Sequence, residues 1–152
     1  VIDTSKSMLP STLAAFEQSD VVFVVTSPDL PSMRNIQRGL PLIRRALMGN
    51  EQQFRLVVNR HNGSDAIPQP DIERTLGLTV YWNLSNDYEA VITSVNTGTP
   101  VVLNGDSRYG RDLRAMGAEL TGLHHRNGKS ANPFRRLWSK VNKPAKETKA
   151  HE

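Results

Sequence analysis

The chain has no cysteine in its 152 residues. That excludes a disulfide framework and any thiolate metal site, and it agrees with a reducing compartment. No apolar run approaches the roughly 20 residues that a membrane-spanning helix requires. No secretory leader is visible. Metal ligands are sparse: His124 and His125 are adjacent, with no third ligand at a metal spacing. No Ser/His/Asp set stands on a nucleophile elbow. No Gly-rich loop ending in G-K-[ST] follows a strand pattern. Asn127–Ser130 reads "NGKS", but it lies in a polar tail behind a helix pattern. The chain therefore has nothing of its own to cradle a row of phosphates.

What is present is one domain's worth of chain with an ordinary 38% of hydrophobic residues. The net charge of +4 hides an asymmetry. Residues 1–123 carry eleven Lys/Arg against thirteen Asp/Glu, or −2, and residues 124–152 carry eight against two, or +6. A mildly acidic globule is followed by a basic tail. An anionic partner should meet the tail, and nucleic acid is a poor partner for the globule.

Apolar runs and helical patterns alternate. "DVVFVVTSP" (Asp20–Pro28) and "FRLVVNR" (Phe54–Arg60) read as strands buried on both faces. "LTVYW" (Leu78–Trp82) is a shorter third, "PVVLN" (Pro100–Asn104) a fourth, and the opening "VID" the end of another. Between them, "PSTLAAFEQS" begins with Pro and small residues. "PSMRNIQRGLPLIRRAL" has Met33, Ile36, Leu40, Ile43 and Leu47 at helical spacing, with Pro41 expected to kink it. "PDIERTLG" and "NDYEAVITSVNTG" end on Gly77 and Gly98, and "DSRYGRDLRAMGAELTGL" follows the last run. This alternation predicts an α/β fold with an open, mostly parallel sheet flanked by helices.

Ligands of such sheets sit beyond the carboxyl ends of the strands. Asp3, Thr26, Asn59 and the "NLSND" loop all fall at strand ends in this pattern. Each alone reads more simply as a loop or helix cap. Asp106 and Asp112, beside Arg108 and Arg111, read as a solvated helix face.

The ordered series "VIDTSKSMLPSTLAAFEQSDVVFVVTSPDLPSMRNIQRGLPLIRR", "LVVNR" and "DIERTLGLTVYWNLSNDYEAVITSVNTGTPVV" resembles the second half of the ParA/MinD family of P-loop ATPases. "TSPDLPSMRN" and "NDYEAV…NTGTPVV" look most like its CpaE/TadZ branch, which is associated with assembly of tight-adherence pili. The resemblance covers about residues 1–122. It implies that Asp3 is the catalytic carboxylate near Mg²⁺, acting through a metal-bound water. It implies that Asn59, Arg60, Ser85 and Asn86 hold the nucleotide. An Asn amide both donates and accepts, so it suits an adenine edge, and Arg60 can flank or stack on the base. For Asn59, a turn residue before "HNGSD" remains the other reading. Two departures stand out: Ser5 and Ser85 occupy positions where the family often has Pro. Because the family's phosphate loop precedes the Asp3 strand, the expectation is a C-terminal part of a longer protein. ATP and Mg²⁺ would bind only with the preceding half, and this chain alone would not hydrolyse ATP.

In the tail, "NPFRRLWSKVNK" places Phe134, Leu137, Trp138 and Val141 at i, i+3, i+4 and i+7. Arg135, Arg136, Lys140 and Lys143 fill the other positions. This predicts a short basic amphipathic helix near 133–142, within a tail that is otherwise polar and disordered. It suits an anionic membrane surface, with docking on the globule or contact with nucleic acid as alternatives. The expected organisation is an ATPase part over 1–123 and a basic tail over 124–152. The expected function is an ATPase that positions pilus or secretion machinery. It would be cytoplasmic, peripheral at the inner membrane face, and a homodimer when complete. A non-hydrolysing scaffold of the same fold is the alternative, and Ser5 and Ser85 favour it.

Overall fold

The computed structural model describes residues 1–4, 9–46, 53–103 and 106–122. The tail residues Phe134, Arg135, Arg136, Leu137, Trp138, Lys140 and Val141 lie outside them, as do Ser5, His124 and His125. Val1–Gly117 forms one compact unit.

The elements are α1 (Pro10–Glu17), β1 (Val22–Thr26), α2 (Leu30–Ala46), β2 (Phe54–His61), α3 (Gln69–Leu76), β3 (Val80–Ser85), α4 (Tyr88–Thr97) and α5 (Arg108–Thr121). The three strands form one sheet in the order β1-β2-β3, parallel throughout. The expected α/β architecture is therefore present. β1 and β2 pair in uninterrupted register, with Val24 opposite Leu56. Between β2 and β3 the register slips, so that Leu56 faces Val80 while Val57 faces Trp82.

Caps fix the helix ends. The Asp29 carboxylate accepts from the Ser32 amide at 2.8 Å and from its hydroxyl at 2.9 Å, opening α2. From there α2 runs through Pro41 to Ala46. Gly77 closes α3 in the left-handed region, with φ 61° and its N–H on the Glu73 carbonyl at 2.8 Å. The core lies on one side of the sheet. Val22, Val24, Phe54, Leu56 and Val58 pack with Met33 and Ile43 of α2 and with Ile72 and Leu76 of α3. Of the periodic positions of α2, Met33, Leu40 and Ile43 are buried and Ile36 packs partly buried against the core, while Leu47 lies outside the described residues. A polar chain runs beside this core. Asn83 Nδ2 donates to Gln69 Oε1 at 3.0 Å, and Gln69 Nε2 donates to Glu73 Oε1 at 3.1 Å. Glu73 Oε1 also accepts from the Val80 amide at 2.8 Å, which ties α3 to the start of β3.

Three expectations are corrected. First, β1 is buried on one face only: Val22, Val24 and Thr26 are covered, whereas Phe23 is 36% and Val25 56% exposed. Only β2, which has a neighbour on each side, buries consecutive residues, Leu56, Val57 and Val58. Second, "VID" forms no strand; Val1 to Thr4 are irregular and exposed, with no ladder partner among the described residues. Third, "PVVLN" turns instead of extending over its described residues. The Leu103 N–H bonds the Pro100 carbonyl at 2.9 Å, a local closure that removes those groups from any ladder.

Candidate functional site

β2 and β3 are parallel neighbours, so their carboxyl ends fall on the same rim. β2 delivers Asn59, Arg60 and His61 there, and β3 delivers Ser85 and then Asn86. The two loops are joined directly: the Asn86 N–H donates to the His61 carbonyl at 2.7 Å. Asn59, Arg60, Ser85 and Asn86 are therefore neighbours across the end of one strand pair.

Arg60 has φ 60°, the only positive φ outside glycine among the described residues. Left-handed backbone costs a side-chain-bearing residue about 1 kcal/mol or more. It persists here because Asn59 Oδ1 accepts the Arg60 N–H at 2.9 Å and steers the turn. The amide of Asn59 remains a donor. The Arg60 side chain is exposed and has no hydrogen-bond or ion-pair partner among the described residues. Beyond it, His61 Nδ1 pairs with Asp65 Oδ2, whose side chain is only 8% exposed. Asp65 Oδ1 accepts the Asn62 N–H at 3.3 Å, closing the "HNGSD" turn. The turn-rich reading of this segment misses the His–Asp pair; the four-residue spacing of His61 and Asp65 is the signal that could have found it.

On the β3 side two carboxylates organise the backbone. Asp87 Oδ1 accepts the Ala90 N–H at 3.3 Å and opens α4, while its Oδ2 accepts the Arg108 N–H at 3.1 Å at the start of α5. Asp112 Oδ2 accepts the Ser85 N–H at 2.8 Å. Asp112 is therefore no solvated bystander, which corrects the expectation for it. Asp106 is one: its side chain is 82% exposed and flanked by Arg111 and Arg114. Gly110 is required where α5 meets the loop before it, since a Cβ there would lie 2.8 Å from Ser107 Oγ and 3.1 Å from the Val101 carbonyl oxygen. Burial raises the Tyr109 phenol above its ordinary 10.0, so it stays neutral at physiological pH.

The rim does not gather everything the sequence suggested. Thr26 ends β1 on the same side, paired with Val58, but it is buried and offers no free group there, its hydroxyl donating to the Ser27 carbonyl. Asp3 is exposed and has no hydrogen-bond or ion-pair partner among the described residues. An open depression of about 620 Å³ lies at the entering ends of β2 and β3, lined by Phe54, Arg55, Leu56 and Gly77–Tyr81, away from the rim. No group of three or more potential metal ligands occurs among the described residues.

No family model matches the chain. The septum site-determining protein MinD of Thermotoga maritima is 27% identical over 127 residues, covering 80% of this chain and 46% of that protein. MinD of Buchnera aphidicola is 26% identical over 134 residues, covering 82% and 49%. Among solved structures, a ParA family ATPase from Chlorobium tepidum superposes with TM-score 0.64 at 21% identity, covering 72% of this chain and 46% of that one. A chain of the MinC:MinD cell division protein complex of Aquifex aeolicus gives 0.63 at 18%, covering 82% and 52%. The chain spans about half the length of the curated relatives it matches. By sequence it is similar to about half of the MinD proteins, and its parallel sheet and flanking helices match part of the fold of the ParA and MinD structures.

Proposed function

We propose that this chain is part of a ParA/MinD-like ATPase of the CpaE/TadZ type, which positions pilus or secretion machinery at a membrane and works as a homodimer. The observation that carries the ATPase reading is the joined rim. Asn59–Arg60 and Ser85–Asn86 meet through the Asn86–His61 bond, in a chain similar to part of MinD. The donor set fits a purine base. An amide with its oxygen held by Arg60 keeps its NH₂ for a ring nitrogen, and a guanidinium beside it that has no partner among the described residues can stack. The residues do not by themselves fit a triphosphate, since no glycine-rich backbone cradle is among them. Mg²⁺ would supply charge neutralisation at the phosphates, and Asp3 is the side chain proposed to orient water beside it. This chain by itself should release no phosphate from ATP above a buffer blank.

Asn59→Ala in the full-length protein should weaken ATP binding by about 1–2 kcal/mol, the scale of one hydrogen-bonded pair, and narrow the preference for ATP over GTP. Calorimetric titration with both nucleotides checks this, and unchanged affinities would remove Asn59 from the site. The pilus assignment rests on the likeness of "TSPDLPSMRN" and "NDYEAV…NTGTPVV". Deleting the gene should abolish surface pili and leave septa in place, whereas misplaced septa would assign a division role instead.

The tail is proposed as the membrane contact. Each basic residue near an anionic surface contributes about 1 kcal/mol at most, so one short helix binds marginally and a dimer's pair binds better. In co-sedimentation with vesicles, pelleting should rise with anionic lipid and fall with salt. Trp138→Glu should abolish it. Pelleting of Trp138→Glu like wild type, or indifference to lipid charge, would turn the reading towards docking on the globule.

A further inference from the structure

We infer that Asp112 is a positioning residue for the base-binding loop, acting in the place that a proline's fixed backbone would otherwise fill. The inference rests on the nucleotide reading of the rim above. Ser85 is the last residue of β3, and Asn86 follows it on the rim. A strand end that leads into a loop frays unless its backbone groups are bonded. Proline there would restrict φ without any partner, because its ring sets the angle. Serine carries no such restriction, but it carries an N–H that proline lacks. In this chain that N–H is taken by Asp112 Oδ2 at 2.8 Å, from across a 27-residue separation.

The acceptor is a carboxylate, and hydrogen bonds to charged groups are about twice as strong as neutral ones. It is also held in place. α5 begins at Arg108, whose N–H is fixed by Asp87 Oδ2 at 3.1 Å, and Asp87 sits two residues after Ser85. The loop therefore ties α5 at its first turn, and α5 ties the loop one turn later. Asn86 is pinned on its other side by the His61 carbonyl at 2.7 Å. Both rim amides, Ser85 and Asn86, are consumed by the protein itself. The loop meets its ligand as a preset shape, which lowers the ordering cost of binding.

The pairing predicts a specific non-additivity. Asp112→Ala leaves the Ser85 N–H without its acceptor. Asp112→Asn keeps an acceptor oxygen, though a neutral one. Ser85→Pro removes the donor and supplies the fixed φ, so in that background Asp112→Ala has nothing left to disturb. The experiment has two readouts. Amide hydrogen exchange at Ser85 and Asn86 by NMR reports the bond in this chain, with thermal unfolding as the check on folding. Calorimetric titration of Mg-ATP into the full-length protein reports the role. Asp112→Ala should speed Ser85 exchange and weaken ATP binding, each about tenfold. Asp112→Asn should restore most of both, and the double variant Ser85→Pro with Asp112→Ala should bind like Ser85→Pro alone. Unchanged Ser85 exchange in Asp112→Ala, or an equal loss of binding in the Ser85→Pro background, overturns the inference. Faster exchange with unchanged ATP affinity also overturns it while leaving the nucleotide reading intact. Wild-type protein that binds no adenine nucleotide overturns both.

Discussion

Leu56→Ala should lower the stability of the globule by about 3 kcal/mol, within the 2–5 kcal/mol range of leucine truncations in well-packed cores. Leu56 is 1% exposed and sits at the middle of the central strand, paired to Val24 on one side and Val80 on the other. Its side chain belongs to the cluster shared by α2, α3 and all three strands. Neighbours on regular strands cannot collapse into the space left behind, so the cavity term adds to the lost burial. Against a total stability of about 5–15 kcal/mol, such a loss leaves a domain close to unfolding at physiological temperature. Denaturant titration should show a lower midpoint at an unchanged slope. Val25→Ala is the control: it lies one residue from Val24 but is 56% exposed, and it should change stability by less than about 1 kcal/mol. A Leu56→Ala loss below about 1 kcal/mol would mean that the core is loosely packed and that the one-sided burial described above is wrong.

The second large effect is functional. Asp3→Ala in the full-length protein should reduce ATP hydrolysis about a hundredfold, the lower end of what a positioned acid or base contributes. Stability should be unaltered, because Asp3 is exposed and makes no hydrogen bond or ion pair among the described residues. ATP affinity should change little, since the proposed role begins at the metal-bound water and not at the base. Phosphate release under saturating Mg-ATP, with circular dichroism on the same samples, separates these outcomes. Hydrolysis at the wild-type rate would remove Asp3 from the chemistry. A parallel loss of helicity would instead give it a structural role. Together with Asn59→Ala, the pair distinguishes base recognition from water positioning, since each substitution should move one quantity and spare the other.

The sequence by itself determined the elements whose signals are local. Helical spacing placed α2, whose Met33, Leu40 and Ile43 are all buried. Glycines marked the ends of α3 and α4, where Gly77 and Gly98 take the left-handed backbone that side chains avoid. Apolar β-branched runs placed all three strands, and their alternation with helices gave the parallel sheet. Thr26, Asn59 and the "NLSND" loop could be assigned to one rim because parallel strands end on the same side, whereas Asp3, expected there too, lies in an irregular stretch.

Tertiary structure alone decided whatever depends on which layer covers a residue or which distant group meets it. "VVFVV" and "RLVVN" look alike as strings. One became an edge strand open on one face and the other a centre strand with consecutive residues buried, because among the described strands β2 alone has neighbours on both sides. "PVVLN" has strand composition, yet a local turn bond captured its backbone where no sheet edge did. Asp106 and Asp112 are six residues apart on one charged segment. One faces water, and the other reaches 27 residues back to Ser85. Composition and spacing describe the chain against its immediate neighbours. A hydrogen bond between segments exists only once the intervening strands and helices have set their positions, and that is why the partners of Ser85, Asn86 and Arg108 could be seen only in the fold.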